Sequence, residues 1–373
     1  MRFVFVTFGS WGDVQPYVSI AKHLKAHGHA VALVTSKSFR EPISAMGLEF
    51  APMRPDVADL GRGAGLQRFI EVNQGSARVE EDFLRPALQD SKEDLARVCQ
   101  NGDVVVAQFL ALAAPLVADE MELPWVSTII QPMTVAETRH SPYGSLALFS
   151  PTFVPREPSW PDDVKVTGFP VGDRLGTAPL SAELESFLGA GEAPLVFTLG
   201  TAVVGQAGDF FQLGVRAAQQ LKKRAVFLVG RGARNTLLDL PEGMMQLEFA
   251  LHSSLFRRAL AVIHHGGIGT TANALLSGRP MLVVPFAFDQ PDNASRAVHH
   301  GVARVLPRVE VNADRLGEEL RALLDDRRYL ERAAVLADKI REEDGVGNAA
   351  RELVRVSLIH LASQTQAPNR LTF

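Results

Sequence analysis

The stretch Val262-Ile-His-His-Gly-Gly-Ile-Gly-Thr-Thr271 sets two histidines and three glycines between a β-branched run and a helical pattern. Gly266, Gly267 and Gly269 let the backbone turn sharply, and Gly269-Thr270 opens a helix whose first amides lack intrahelical partners. A helix N-terminus carries roughly half a positive charge, so this turn is an anion site. A phosphate or diphosphate is the most economical ligand, with His264 at the strand end donating a further hydrogen bond. A plainer reading competes: adjacent histidines commonly divide into one core-facing and one solvated residue, and glycines alone can make a tight turn. Metal binding is disfavoured. Neighbours on a strand point to opposite faces, and no acidic or Cys residue stands three or four positions on to complete a ligand set.

Asp289-Gln290 lies beyond a second apolar run, Met281–Val284. Ligands of open parallel sheets bind outside the carboxyl ends of the strands. A carboxylate and an amide there can hold two or more hydroxyls, which suits a hexose. Asp289 can equally cap a helix starting at Gln290, with Pro291 in its first turn, and both roles are compatible. Gly267-Ile-Gly269-Thr-Thr-Ala272 also fits the dinucleotide fingerprint, with Asp289 about twenty residues on. That fingerprint normally opens a domain, whereas here it falls late, and Asp289 follows a Pro. A sugar nucleotide therefore fits better than a nicotinamide.

A third candidate is Asp13, the one titratable residue in the loop Gly9–Asp13. An ordinary Asp pKa of about 3.9 leaves it ionised at neutral pH and available as a base; burial would raise that value. The competing reading makes Asp13 the N-cap of a helix beginning at Val14.

Alternating patterns position these residues. Strands are expected at Phe3–Phe8, Ala30–Thr35, Leu48–Ala51, Asp103–Ala107, Trp125–Thr128 and Val164–Val166. Helices are expected at Val14–His27, Phe39–Met46 and Ala111–Glu122, with two polar helical pieces over Gln67–Gln100 broken near Arg85-Pro86. Gln131–Asp163 reads as loop. The alternation restarts with strands at Leu195–Leu199, Ala225–Val229, Met245–Phe249, Ala261–His264 and Met281–Val284. Helices there are expected at Phe210–Lys223, Ser253–Arg258, Thr270–Ser277 and Gln290–His300, followed by a charged helical tail over Asp314–Ala362. Strand and helix in alternation argue for α/β domains with doubly wound parallel sheets. The division is 1–167 for a first domain, 168–191 for a Gly- and Pro-bearing linker, 192–350 for a second domain, and 351–373 for a last helix and tail packing back on the first.

The chain has 373 residues, 46% hydrophobic and 21% charged, a length that suits two domains. A net charge of −4 gives no general reason to bind nucleic acid or an anionic membrane. Cys99 is the single cysteine, which excludes an intramolecular disulfide and suits a reducing compartment. The apolar opening is too short for a signal peptide, and no run reaches the length of a membrane span. A soluble, cytoplasmic protein is expected, with peripheral membrane contact left open.

His264-His265-Gly-Gly-Ile-Gly-Thr-Thr followed by Pro285-Phe-Ala-Phe-Asp289-Gln290 resembles the donor-binding region of GT-B glycosyltransferases of family 1. The opening TFGSWGDVQPYVSIAKHLKAHGHAVALVT resembles the same family's sterol and antibiotic branch. LVFTLGT at Leu195–Thr201 and EFALHSSLF at Glu248–Phe256 match two further donor loops. The resemblance implies a GT-B fold, two Rossmann-like domains facing across a cleft. It implies that His264, Gly266, Gly267, Gly269 and Thr270 hold the donor diphosphate, with Gly200 and Thr201 over it. Phe249 and His252 would flank the base, and Asp289 and Gln290 would hold the sugar. Asp13 falls where relatives carry the catalytic base, and Trp11 and Gly12 fall at the acceptor. Leu251 stands where a Pro is usual, and the span from Met133 to Val164 is shorter than in relatives.

The implied reaction is inverting transfer of a hexose from a UDP- or dTDP-sugar to a lipophilic or aromatic hydroxyl. No Asp-x-Asp occurs in the chain, so no metal or other cofactor is expected. A catalytically impaired nucleotide-binding relative and an NAD(P)-dependent oxidoreductase are the alternatives.

Overall fold

Runs such as Phe3-Val-Phe-Val6 and Val104-Val-Val106 are fully buried on both sides, as strands of a parallel sheet covered by helices on both faces must be. The computed structural model, which describes residues 1–60, 75–173, 176–231 and 235–366, arranges them in two parallel sheets. The first holds β1 (Arg2–Val6), β2 (Ala30–Thr35), β3 (Glu49–Pro52), β4 (Asp103–Gln108), β5 (Trp125–Ile129), β6 (Ser145–Ala147) and β7 (Val164–Val166), in the order β3-β2-β1-β4-β5-β6-β7. The second holds β8 (Leu195–Thr198), β9 (Ala225–Leu228), β10 (Met244–Leu247), β11 (Ala261–His264), β12 (Met281–Val283) and β13 (Ala303–Val305), in the order β10-β9-β8-β11-β12-β13.

Alternate residues of each strand serve opposite faces. Phe3, Phe5, Val104 and Val106 pack with Val14, Tyr17 and Leu24 of the helix Trp11–Ala26. Val4, Val6, Val105 and Ala107 pack with Ala114, Val117 and Ala118 of the helix Ala113–Glu120. In both sheets the strand order reverses once, between β1 and β4 and between β8 and β11. These switch points are where the crossovers part and leave a crevice.

The last helix, Gly345–Gln366, returns to the first sheet. Its Ala349, Ala350, Leu353 and Val356 join the core under the helix Trp11–Ala26. Asn348 donates to the Thr167 carbonyl at 2.8 Å, and Lys165 pairs with Glu352 at 2.7 Å. Among the described residues no helix is long and apolar enough to cross a membrane.

The structure departs from the sequence expectations in several places. Gln131–Asp163, read as loop, contains β6, three residues held between β5 and β7 and too short to show a period. β13, equally short, was not anticipated. Residues 182–189 of the segment 168–191 form a helix, with the Ser181 hydroxyl accepting from the Leu184 amide and Leu184 and Leu188 buried. Glu80–Leu84 is a π-helical turn ahead of the break at Arg85-Pro86. The first helix begins at Trp11, not Val14, because Ser10 caps it. Of the helical reading over Gln67–Gln100, residues 67–74 lie outside the described residues.

Leu353 is fully buried where the last helix meets the first core. Leu353→Ala should therefore cost about 2–5 kcal/mol, read as a lower urea midpoint. A loss near zero would mean that this helix adds nothing to the fold.

Candidate active site

Asp13 is the third residue of its helix, and its carboxylate turns back to the helix start. Oδ2 accepts from the Ser10 amide at 2.7 Å and the Ser10 hydroxyl at 2.9 Å. It is thus not the N-cap but closes a capping interaction from inside the first turn. Gly9 makes room for it: its φ of +132° suits glycine, and a Cβ there would run into the Asp13 carboxylate. Asp13 keeps some surface, yet the surrounding protein raises its pKa, the Ser10 bonds opposing that rise. Trp11 is half-buried, its ring 5.6 Å from that of Phe39, and Gly12 is exposed with its amide 3.3 Å from Thr201 Oγ1. That contact joins the β1 switch-point loop to the β8 loop.

Gly200, in the β8 loop, has φ +61°, and a Cβ on it would meet the His265 ring at 2.6 Å. His265 is thereby wedged under the loop. His264 ends β11 with no exposed surface. Its Nδ1 accepts from the Gly266 amide at 3.1 Å, so Nδ1 is unprotonated and Nε2 carries the hydrogen. That Nε2–H has no acceptor among the described residues. Burial holds both rings neutral, with His265 down at about 3 and His264 well below the ordinary value, neighbouring histidines adding to the effect. Any anion here meets neutral imidazoles.

Gly267 is the N-cap of the helix Ile268–Ser277, and its carbonyl takes the Thr271 amide at 2.9 Å. The first amide, Ile268, donates to Asp289 Oδ2 at 3.3 Å. The next two, Gly269 and Thr270, have no backbone partner among the described residues. Asp289 occupies the N-cap position of the helix Gln290–His299, but its side chain takes none of that helix's backbone amides. Its carboxylate instead caps the neighbouring helix and takes Asn293 Nδ2 at 2.6 Å, while Asn293 also donates to the Gly266 carbonyl at 2.9 Å. Burial, with the Asp13 charge adding to it, lifts Asp289 to about 7. The two carboxylates therefore feel one another across the crevice.

Gln290 is buried. Its Oε1 accepts from the Phe286 and Ala287 amides at 2.7 and 3.0 Å, which leaves only its NH₂ to offer a ligand. Phe288, between these residues and Asp289, holds a φ of +57°, a strained value for an aromatic residue of the kind found at functional sites. Phe249 is 61% exposed, and its ring lies 6.4 Å from His252, which stacks on Phe256 at 4.6 Å. Burial lowers His252 to about 4. Among the described residues no three His, Cys, Asp or Glu side chains gather as a metal site. The sequence reading missed Ser10 and Asn293, the residues that hold the two carboxylates. A Ser three positions before Asp13 and an Asn one turn after Asp289 were the available signals.

A model of the glycosyltransferase family 28 N-terminal domain matches residues 3–138, and one of the erythromycin biosynthesis protein CIII-like C-terminal domain matches residues 215–355. Along its length the chain is 30% identical to an O-mycaminosyltylonolide 6-deoxyallosyltransferase of Streptomyces fradiae, over 94% of this chain and 96% of that protein. The chain belongs to this glycosyltransferase family. It is also 27% identical to a sterol 3-beta-glucosyltransferase of Arabidopsis thaliana, over 98% of this chain but 66% of that one, so it spans just under two thirds of the plant protein. The structure of the glycosyltransferase VinC in complex with dTDP superposes with a TM-score of 0.74 at 22% identity, covering 96% of this chain and 100% of that one. The fold of this family member is accordingly GT-B, two Rossmann-like domains.

The raised Asp289 gives this family member a pH signature. Between about 3.8 and about 7 the unfolded chain has released this proton and the folded chain keeps it. Stability from this group is therefore complete at acid pH, falls as pH rises through that window, and is flat above it, a loss on the order of 4 kcal/mol at most. Asp289→Asn keeps an oxygen for Ile268 and removes the titration. Relative to wild type it should gain stability between pH 5 and pH 8 in denaturant titrations; an equal difference at both pH values would mean that Asp289 titrates normally.

Proposed function

We propose that this chain transfers a hexose from a nucleoside-diphosphate sugar, UDP- or dTDP-linked, to the hydroxyl of a lipophilic or aromatic small molecule, with inversion and without a metal. The observation that carries the reading is the meeting of the switch-point loops. Asp13 from the first sheet stands within electrostatic reach of Asp289 from the second, and Asp289 rests on the helix start at Ile268. A carboxylate and an anion site on opposite walls are what a displacement between two substrates needs.

In this mechanism the acceptor oxygen attacks the anomeric carbon while Asp13 takes its proton. The bond from that carbon to the diphosphate oxygen breaks, and the electron pair leaves with the diphosphate. The amides of Gly269 and Thr270 and the His264 Nε2–H are donors fixed in advance for that charge, so they need no reorganisation as it develops. A raised Asp13 pKa makes a stronger base than a solvated Asp. Asp289 and the Gln290 NH₂ hold sugar hydroxyls, Phe249 and His252 flank the base, Thr201 lies over the diphosphate, and Trp11 and Gly12 border the acceptor. The first domain then serves the acceptor and the second the donor, with the segment 168–191 between them. The dTDP complex of the structural relative supports a nucleoside-diphosphate leaving group.

Asp13→Asn retains an oxygen for the two Ser10 bonds, so fold and donor affinity should persist while turnover falls by roughly 10² to 10⁴. Asp13→Ala should in addition lose about 1 kcal/mol of helix capping. Melting temperature and rate measured on both variants separate the two roles, and near-normal turnover by a folded Asn variant removes Asp13 from the chemistry.

His264→Ala should weaken binding of a nucleoside diphosphate about tenfold, the worth of roughly one hydrogen bond, and leave the bare nucleoside unaffected. Calorimetry with UDP, dTDP, uridine and thymidine checks this; equal losses for diphosphate and nucleoside would assign His264 to the fold alone.

A further inference from the structure

The loop after β8 continues from the helical turn Gly200–Val203 into the tighter turn Val204–Gln206. Turns this short gain little from their own hydrogen bonds, so contacts from outside must fix where the loop lies. Two side chains supply them. Asn235 Nδ2 donates to the Val204 carbonyl at 2.8 Å and to the Val229 carbonyl at 2.9 Å, tying the loop to the end of β9. Arg308 Nη2 donates to the Gln206 carbonyl at 3.1 Å.

Arg308 also reaches the loop after β12. Its guanidinium lies 4.2 Å from the centre of the Phe286 ring. That ring is buried, meets Phe210 edge-on at 6.2 Å, and belongs to the residue whose amide donates to Gln290 Oε1. Asp289 follows three positions on, past the strained Phe288. Arg308 itself is exposed but stands on a firm base: Leu306, two residues before it, is fully buried, and its amide donates to the Val283 carbonyl at 2.9 Å. A planar guanidinium can give its face to a ring and its edge to a carbonyl at once, which an ammonium cannot.

We infer that Arg308 is a positioning residue that sets the spacing between the loop carrying Gly200 and Thr201 and the loop carrying Asp289 and Gln290. The chemical use of that spacing rests on the functional reading above, in which the first loop lies over the diphosphate and the second holds the sugar. The bond that breaks joins these two parts of the donor. An error of about 1 Å in their spacing misaligns that bond with the incoming oxygen and costs up to about a hundredfold in rate. Arg308 touches neither substrate in this account, so its loss spares donor binding. The plain alternative is a surface arginine whose two contacts only steady the fold.

The test compares the full chain with Arg308→Ala and Arg308→Lys by two measurements. Hydrogen exchange, without ligand, follows the amides of residues 200–206 and 284–290. Turnover is measured with UDP-glucose and dTDP-glucose, using 2-naphthol as the probe acceptor. In Arg308→Ala both loops should exchange about tenfold faster while β8, β11 and β12 keep their protection. Its kcat and kcat/KM should both fall about tenfold, with KM for the sugar nucleotide within about twofold, the pattern of an interaction that serves the transition state. Arg308→Lys keeps the charge and a donor for Gln206 but lacks the planar face, and its kcat should fall in the same direction. Unchanged exchange in Arg308→Ala, or a lowered melting temperature with unchanged kcat, overturns the inference. Wild-type turnover in Arg308→Lys assigns the effect to charge and overturns it too. Faster exchange in Arg308→Ala, with neither transfer nor hydrolysis of a sugar nucleotide by wild type, removes only the transferase reading; transfer by wild type with unchanged exchange in Arg308→Ala removes only the spacing role.

Discussion

The carboxylate of Asp289 bonds to the first amide of the helix Ile268–Ser277 and to Asn293, and the rest of the second domain's crevice is built round that contact. It pins the loop after β12 to the loop after β11. Asn293 extends the tie by bonding the Gly266 carbonyl, and Gln290 fixes the loop's own backbone through Phe286 and Ala287. The strained Phe288 persists because these bonds over-determine the turn. A buried carboxylate facing another carboxylate is costly to ionise. The fold tolerates it here because a helix N-terminus favours negative charge.

The first domain repeats the device with different parts. Asp13 also sits at a helix start, folds back onto Ser10, and depends on a glycine that leaves it space. The Asp13 loop and the turn after β11 that Asp289 holds both stand at switch points, where a doubly wound sheet leaves a crevice. Two such crevices, joined through Gly12 and Thr201, bring residues nearly three hundred positions apart within one electrostatic environment.

The sequence showed most of this because the sheets are parallel. Strands such as Val104–Val106 are apolar throughout, and the crossovers between them are long enough to show helical spacing. β6 and β13 escaped notice since three residues carry no period, and their place comes only from pairing with neighbours. His264, Asp289 and Asp13 were legible as residues at strand and helix ends. Their bonding was not. Beside the ligand role, one reading had Asp289 capping its own helix; it caps another, because its side chain reaches across to a neighbour that only tertiary packing supplies. Gln290 looked free to bind a ligand, but its carbonyl is spent on the local backbone.

The balance of charge at the crevice has a consequence for how an anion is held there. None of the residues proposed here to hold the diphosphate is a Lys or Arg, and His252, His264 and His265 are all held neutral by burial. On the proposed reading, a diphosphate is received by peptide dipoles and neutral N–H donors. Such donors act at hydrogen-bond range, well inside a Debye length, so they are screened little by salt. Asp289 then governs the site in two ways. Ionised, it competes with the diphosphate for the helix start and repels it; protonated, it does neither. Its value near 7 keeps it close to that division at neutral pH. An arriving diphosphate must favour the protonated form, by the same linkage that lets Asp13 raise it, so binding of the anion draws a proton into the crevice.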